Sequence, residues 1–117
     1  MKSSLSILTL FFALAVASFA QGIQKGATVQ VPPNSIWFQD DAKLSKWQQL
    51  KASGKPDAQA EYQQKELKKR NAFQFDKPLK VKILSYNTAR HQLKVKMETF
   101  GPMQGTKWYL DDSALAQ

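Results

Sequence analysis

Two runs of strict alternation limit this chain more than any other feature. Leu79, Val81 and Ile83 alternate with Lys80 and Lys82; after a polar turn, Leu93, Val95 and Met97 alternate with Lys94 and Lys96. A period of two places the apolar set on one face of a strand and the lysines on the other. A two-stranded ribbon of this kind is not stable alone in water, so the rest of the chain has to cover or extend it. A Gly101-Pro102 break and the closing run Trp108-Tyr109-Leu110-Asp111-Asp112 follow it.

The chain begins with the pattern of an export signal. Residues 1–20 hold one charge, Lys2, then an apolar run from Leu5 to Phe19 interrupted only by Ser and Thr. Ser18 and Ala20 stand at the −3 and −1 positions of a cut before Gln21, as a signal peptidase requires. The run is short for a bilayer span, which needs roughly 20 apolar residues. No Cys stands at the cut, which excludes a bacterial lipoprotein. The expectation is an exported protein, periplasmic or secreted, with no transmembrane segment in the mature chain.

Without Lys2 the 17 basic side chains become 16 against 9 acidic ones, a formal charge of +7 on 97 residues. Such a surplus favours association with anionic surfaces: phospholipid head groups, lipopolysaccharide, wall polymers or extracellular nucleic acid. It argues against an acidic inhibitor of basic enzymes, and it also serves solubility. There is no cysteine. Stability therefore rests on packing, and the disulfide-stapled secreted scaffolds are excluded.

In chain order, Gly26 to Val31 alternates briefly and stops at Pro32-Pro33, which reads as a first strand. Ile36-Trp37-Phe38 is a second apolar patch, a very short strand or an aromatic plug. Asp40 and Asp41 suit a helix N-terminus. Leu44, Trp47 and Leu50 then mark one side of a helix ending at Ser53-Gly54-Lys55-Pro56. Asp57 offers a fresh N-cap for a second helix over Ala58 to Asn71, expected to lean on a barrel through Tyr62 and Leu67 while exposing the rest. The basic cluster around Lys68, Lys69 and Arg70 has two readings: complement to a helix C-terminal dipole, or part of a polyanion site. Phe73 and Phe75 share one side of the lead into the ribbon.

Two ribbon registers keep the inside-outside pattern. Pairing Ile83 with Val95 sets Lys80 against Glu98 and Lys82 against Lys96; slipping by two gives two lysine–lysine pairs. Facing charges are worth about 0.2–1 kcal/mol each, which favours the first register. Either way Lys80, Lys82, Lys94 and Lys96 share a face, which is a wet outer surface or a binding stripe. Tyr86 is in phase with those lysines, and it is the only aromatic there. Nucleic-acid sheets interleave several, so nucleic acid is not the favoured partner.

Gly101-Pro102-Met103-Gln104-Gly105-Thr106-Lys107-Trp108-Tyr109-Leu110, followed by Asp111-Asp112-Ser113-Ala114-Leu115, resembles the C-terminal end of bacterial Src-homology-3-like domains. There, a Gly-containing turn leads to a short Trp-bearing strand, one helical turn and a closing apolar residue. Gly26 to Val31 is similar to their opening strand. The resemblance covers about 50 of the 97 mature residues. It implies an α+β fold: a small Src-homology-3-like antiparallel β-barrel, closed by Trp108 to Leu110, with a helical hairpin inserted after the first strands. Residues 21–117 would form a single domain with the insertion at about 41–71. The hairpin stands where the family has its ligand-recognition loop, so only Trp108 is carried over as a binding residue, with a core plug as its other reading.

His91 is the only histidine and sits in the expected ribbon loop. One histidine without cysteine makes no recognisable transition-metal cluster. Ser85 is its near neighbour but is expected to face inward. Asp40-Asp41 and Asp111-Asp112 read as helix caps, and neither a phosphate loop nor a nucleophile elbow is present. The expectation is a non-catalytic binding module of the cell envelope with no cofactor and no metal. Its partner would be an envelope polymer or protein, with Lys80, Lys82, Lys94, Lys96, Lys68, Lys69 and Arg70 as polyanion contacts. The alternative is an immunity or inhibitor protein neutralising an acidic enzyme or toxin, with Trp37, Phe38, Trp47 and Trp108 as partner-binding anchors.

Overall fold

The computed structural model describes residues 23–115, so the expected signal peptide lies outside the described residues. Six antiparallel strands form one sheet: β1 (Thr28–Val31), β2 (Ile36–Phe38), β3 (Ala72–Gln74), β4 (Leu79–Asn87), β5 (Gln92–Met97) and β6 (Lys107–Asp111). Helices α1 (Asp41–Ala52) and α2 (Pro56–Lys68) join β2 to β3, and a 3₁₀ turn (Asp112–Leu115) follows β6. The strand order is β1-β4-β5-β6-β2-β3. The α+β class, the helical hairpin after the first strands and the central β4–β5 ribbon are as expected.

The sheet is not closed into a barrel. Its edges are β1 and β3, and they do not pair. The reason is local: Pro32 and Pro33 follow Val31 directly and offer no N–H to continue a ladder. The gap is bridged at the turn instead, where Asn34 N–H donates to Phe75 O at 2.8 Å. The sheet still curls enough for Val31 from the β1 edge to join the same buried cluster as Trp37, Ile83, Val95, Trp108 and Leu110, with Phe73 from the β3 edge packed against it. Trp37 meets Trp108 and Phe75 edge-on, at centroid distances of 6.1 and 5.4 Å. Edge-to-face contact of this kind lets large rings fill a curved interior without a void.

The ribbon adopts the register chosen on charge grounds, with Ile83 facing Val95 and Lys82 facing Lys96. A bulge between Ile83 and Ser85 then shifts the pairing by one, so that Ser85 faces Lys94 and Tyr86 faces Leu93. An extra residue in one strand exchanges the two faces beyond it. Tyr86 therefore turns to the core side rather than sharing the lysine face, and Ser85 is exposed rather than inward.

Both helices end in the same way. Gly54 (φ 68°) caps α1, with its N–H on Lys51 O and the Lys55 N–H on Leu50 O. Arg70 (φ 61°) does so for α2, with Arg70 N–H on Leu67 O and Asn71 N–H on Glu66 O. This left-handed cap stops α2 at Lys68, short of the expected Asn71, because it satisfies the last carbonyls before the helix can continue. At the other end Pro56 occupies the first helical position, so Asp57 lies inside the first turn and is not the cap. Asp40 does cap α1, its Oδ1 accepting Lys43 N–H at 2.8 Å.

The hairpin packs on the outer face of β2, β3 and β6. Ile36, Phe38, Leu44 and Ala72 form a second buried cluster there, with Trp47, Tyr62, Leu67 and Tyr109 around it. Strand β2 is thus covered on both faces, Trp37 inward and Phe38 outward. Among the described residues no helix is long and apolar enough to cross a membrane.

Candidate functional site

The outer face of the sheet is divided between the helices and a set of lysines. Register alone places Lys82, Lys96 and Lys107 directly opposite one another across β4, β5 and β6. Lys80 lies one outward position along β4, facing Gln30 of β1. Lys94 lies one outward position along β5, between Ser85 and Tyr109, with its ammonium 5.8 Å from the Tyr109 ring centroid. Lys80 and Lys107 are exposed; Lys82, Lys94 and Lys96 are half-buried. Half-burial of a lysine is its aliphatic stem lying along the sheet with the charged head in water.

Directly opposite positions on neighbouring strands stand about 4.5–5.5 Å apart at Cβ, where like charges repel. The row Lys82–Lys96–Lys107 has two such oppositions. The ion pairs among the described residues are Lys43 with Asp40 and His91 with Asp112, so no described carboxylate pairs with these five lysines. Glu98 lies just past the end of β5, where its N–H donates to Lys80 O at 2.9 Å, but its carboxylate makes no ion pair there. A concentrated, uncompensated positive face is an arrangement that an anionic surface would relieve.

All four lysines expected on the ribbon are therefore brought together, and Lys107 joins them. Sequence reading missed Lys107 because its place depends on β5–β6 pairing; a lysine two residues before Tyr109 in an alternating strand was the available signal. Lys68, Lys69 and Arg70 do not join. They lie at the end of α2 leading into β3, separated in strand order from the ribbon by β2 and β6.

The expected partner anchors are core groups. Trp37, Phe38 and Trp108 are at most 2% exposed, so they are not surface anchors. Trp108 fills the inner face and donates its indole N–H to Thr106 Oγ1 at 2.7 Å, which is the core-plug reading. Trp47 is half-buried against Phe38, donates to Gln63 Oε1 at 2.9 Å, and has the Lys51 ammonium 5.8 Å from its ring.

A second polar region lies at the other end of the ribbon. His91 (φ 54°) closes the β4–β5 turn, its Nδ1 2.9 Å from Asp112 Oδ2. The same oxygen accepts the Tyr86 hydroxyl at 2.7 Å. Tyr86 is pushed up to about 12, chiefly because Asp112 holds its proton and secondarily by burial. Asp111 accepts from Gln48 Nε2 at 2.6 Å and from the backbone N–H and hydroxyl of Ser113. Gln48, His91, Asp111, Asp112 and Ser113 border an open cleft of about 520 Å³ that also touches Lys51 and Arg90. Ser113 bonds to Asp111 rather than to His91, so no serine–histidine pair forms, and both carboxylates tie the 3₁₀ turn to β4, α1 and the hairpin tip. Among the described residues no three His, Cys, Asp or Glu side chains come close enough to hold a metal ion. No family model, no curated protein and no solved structure matches this chain.

Proposed function

We propose that this is an exported, non-catalytic binding module of the cell envelope that engages an anionic polymer or surface through Lys80, Lys82, Lys94, Lys96 and Lys107. One observation carries the reading: five lysines crowd one sheet face in register, two of their oppositions repulsive, with no described carboxylate paired to them. Export is supported by the pattern of residues 1–20, and the absence of an enzymatic role by the structural engagement of His91, Asp111 and Asp112. The likeness of Gly101 to Leu110 to the end of Src-homology-3-like domains fits a binding role, on the motif alone. The inhibitor alternative is weakened, because Trp37, Phe38 and Trp108 are enclosed in the core.

The test is binding of a soluble polyanion, polyphosphate of defined length, to the chain from Gln21 onward, which contains both cores and all six strands. Affinity should fall steeply between about 50 and 200 mM salt, as released counterions and screening dictate. Replacing Lys82, Lys96 and Lys107 together by Gln should remove most of the binding, and replacing Lys68, Lys69 and Arg70 should not. Salt-independent binding, or equal loss in both triple variants, would sink the proposal.

A further inference from the structure

The loop from Glu98 to Thr106, between β5 and β6, holds the only large apolar side chain left exposed among the described residues. Phe100 is 93% exposed. The loop is braced rather than frayed. Met97 N–H donates to Thr106 O and Gly105 N–H to Met97 O, each at 2.8 Å; Gln104 N–H donates to Gly101 O at 3.1 Å. Thr99 Oγ1 accepts Lys80 N–H at 2.7 Å, fastening the residue before Phe100 to β4. Beside Phe100 lies an apolar-walled cavity of about 150 Å³, bordered by Phe75, Leu79, Met97 and Met103. Met103 packs back against the inner core, so Phe100 alone forms an apolar tip on a fixed loop.

That tip stands at the lysine end of the sheet. Lys96 on β5 is four residues before Phe100, Lys107 opens β6 directly after the loop, and the Lys80 backbone N–H is bonded to Thr99. A soluble polyanion would use the lysines and leave the phenyl ring in water. A bilayer with anionic head groups offers phosphates to the ammonium groups and acyl chains to the ring, which is the pairing interfacial anchors exploit.

We infer that the protein docks peripherally on bilayers rich in anionic lipid, with Phe100 inserted at the acyl boundary and Lys80, Lys96 and Lys107 on the surrounding phosphates. This rests on the lysine face being the binding face. It specifies the partner as a lipid surface and adds the Phe100 loop to the site.

The test uses the chain from Gln21 onward with vesicles of phosphatidylcholine alone or mixed with phosphatidylglycerol, and polyphosphate in parallel. The mixed vesicles should bind at least tenfold more tightly than phosphatidylcholine alone. Phe100→Ser should lower vesicle affinity at least tenfold while leaving polyphosphate binding and thermal stability unchanged. In Phe100→Trp the added indole should shift to the blue and be quenched by brominated acyl chains. Lys96→Gln should weaken vesicle binding more than Lys94→Gln, because Lys94 lies further from the loop. Polyphosphate binding without vesicle binding, or vesicle binding indifferent to Phe100→Ser, would overturn this inference and leave the lysine reading standing. Binding to neither would overturn both. A self-association that Phe100→Ser abolishes, without vesicle binding, would assign the loop to a second copy of the chain instead.

Discussion

Strands β5 and β6 share one outward face that is open to water at one end and covered by a helix at the other. On β5 the outward positions are Lys96, Lys94 and Gln92; on β6 they are Lys107, Tyr109 and Asp111. At one end Lys96 and Lys107 face each other with no helix above them. At the other, Gln92 and Asp111 face each other beneath α1, and Gln92 is only 7% exposed. Gln92 donates to Ser45 Oγ at 2.8 Å and to Gln48 Oε1 at 2.9 Å, while Gln48 donates to Asp111 and to His91 O. The difference lies in what a side chain can tolerate under a cover. An amide can satisfy its donors against a helix, whereas a lysine placed there would carry a charge out of water. The lysines therefore mark where the helical hairpin has to stop.

The strongest way to break that comparison is to empty the covered half. Phe38 is fully buried between β2 and α1, so Phe38→Ala should cost about 3–5 kcal/mol, read from denaturant unfolding. A loss below about 1 kcal/mol would mean that the hairpin is not seated on the sheet as described. Gln92→Ala comes next. It strips two hydrogen bonds from a buried network and leaves the Gln48 oxygen without that donor, for a loss of about 1–3 kcal/mol. The same substitution in a bare polar surface would be nearly silent, so the measured loss reports the cover directly.

Alternation made the two faces legible, and charge opposition selected the ribbon register correctly up to Ile83. The bulge has a mark in the sequence: Ile83-Leu84 are adjacent apolar residues that break the alternation, and beyond them Ser85 and Tyr86 stand on exchanged faces. The covered half was illegible for a different reason. Gln92 and Asp111 look as polar as Lys96 and Lys107 in a period-two pattern, and only tertiary contact tells a covered polar position from a wet one. The burial of Trp37 and Phe38 did have a signal: Ile36-Trp37-Phe38 is a continuous apolar run, as befits a strand enclosed on both faces. Barrel closure is the expectation furthest from the observed fold. It required β1 to meet β3, and Pro32-Pro33 stood in the sequence as the reason it could not. Phe100 belongs to no alternating run, so alternation says nothing of it, although a bare aromatic before Gly101-Pro102 is itself an indication.

On the bare half the sign of the effect reverses. Lys96→Gln removes two like-charge oppositions, each worth about 0.2–1 kcal/mol, and so should raise stability at low salt while weakening polyanion binding. The gain should fade near 1 M salt, where the screening length is about 3 Å. Stability lowered by Lys96→Gln at both salt concentrations would show that the lysine stems, rather than their charges, dominate that surface.

The gentlest probe acts on the covered half through Tyr62 of α2. Its hydroxyl donates to Lys43 O at 3.3 Å, joining the two helices. Burial first, and the nearby Glu66 charge second, push it up to about 12. A phenol with a folded-state pKa above its unfolded value of about 10 stays protonated longer in the folded chain. Its contribution is complete below pH 10 and is lost as pH rises through 12, because the unfolded state releases the proton first. Tyr62→Phe should therefore change stability by no more than about 1 kcal/mol at pH 7, the scale of one modest hydrogen bond. The variant should lose less stability than the parent between pH 10 and 12, since its ring has no proton to release. Measuring that difference, rather than either curve alone, cancels the titration of groups common to both chains. Parallel curves would place the Tyr62 hydroxyl in water and detach α2 from the cover that α1 makes over the sheet.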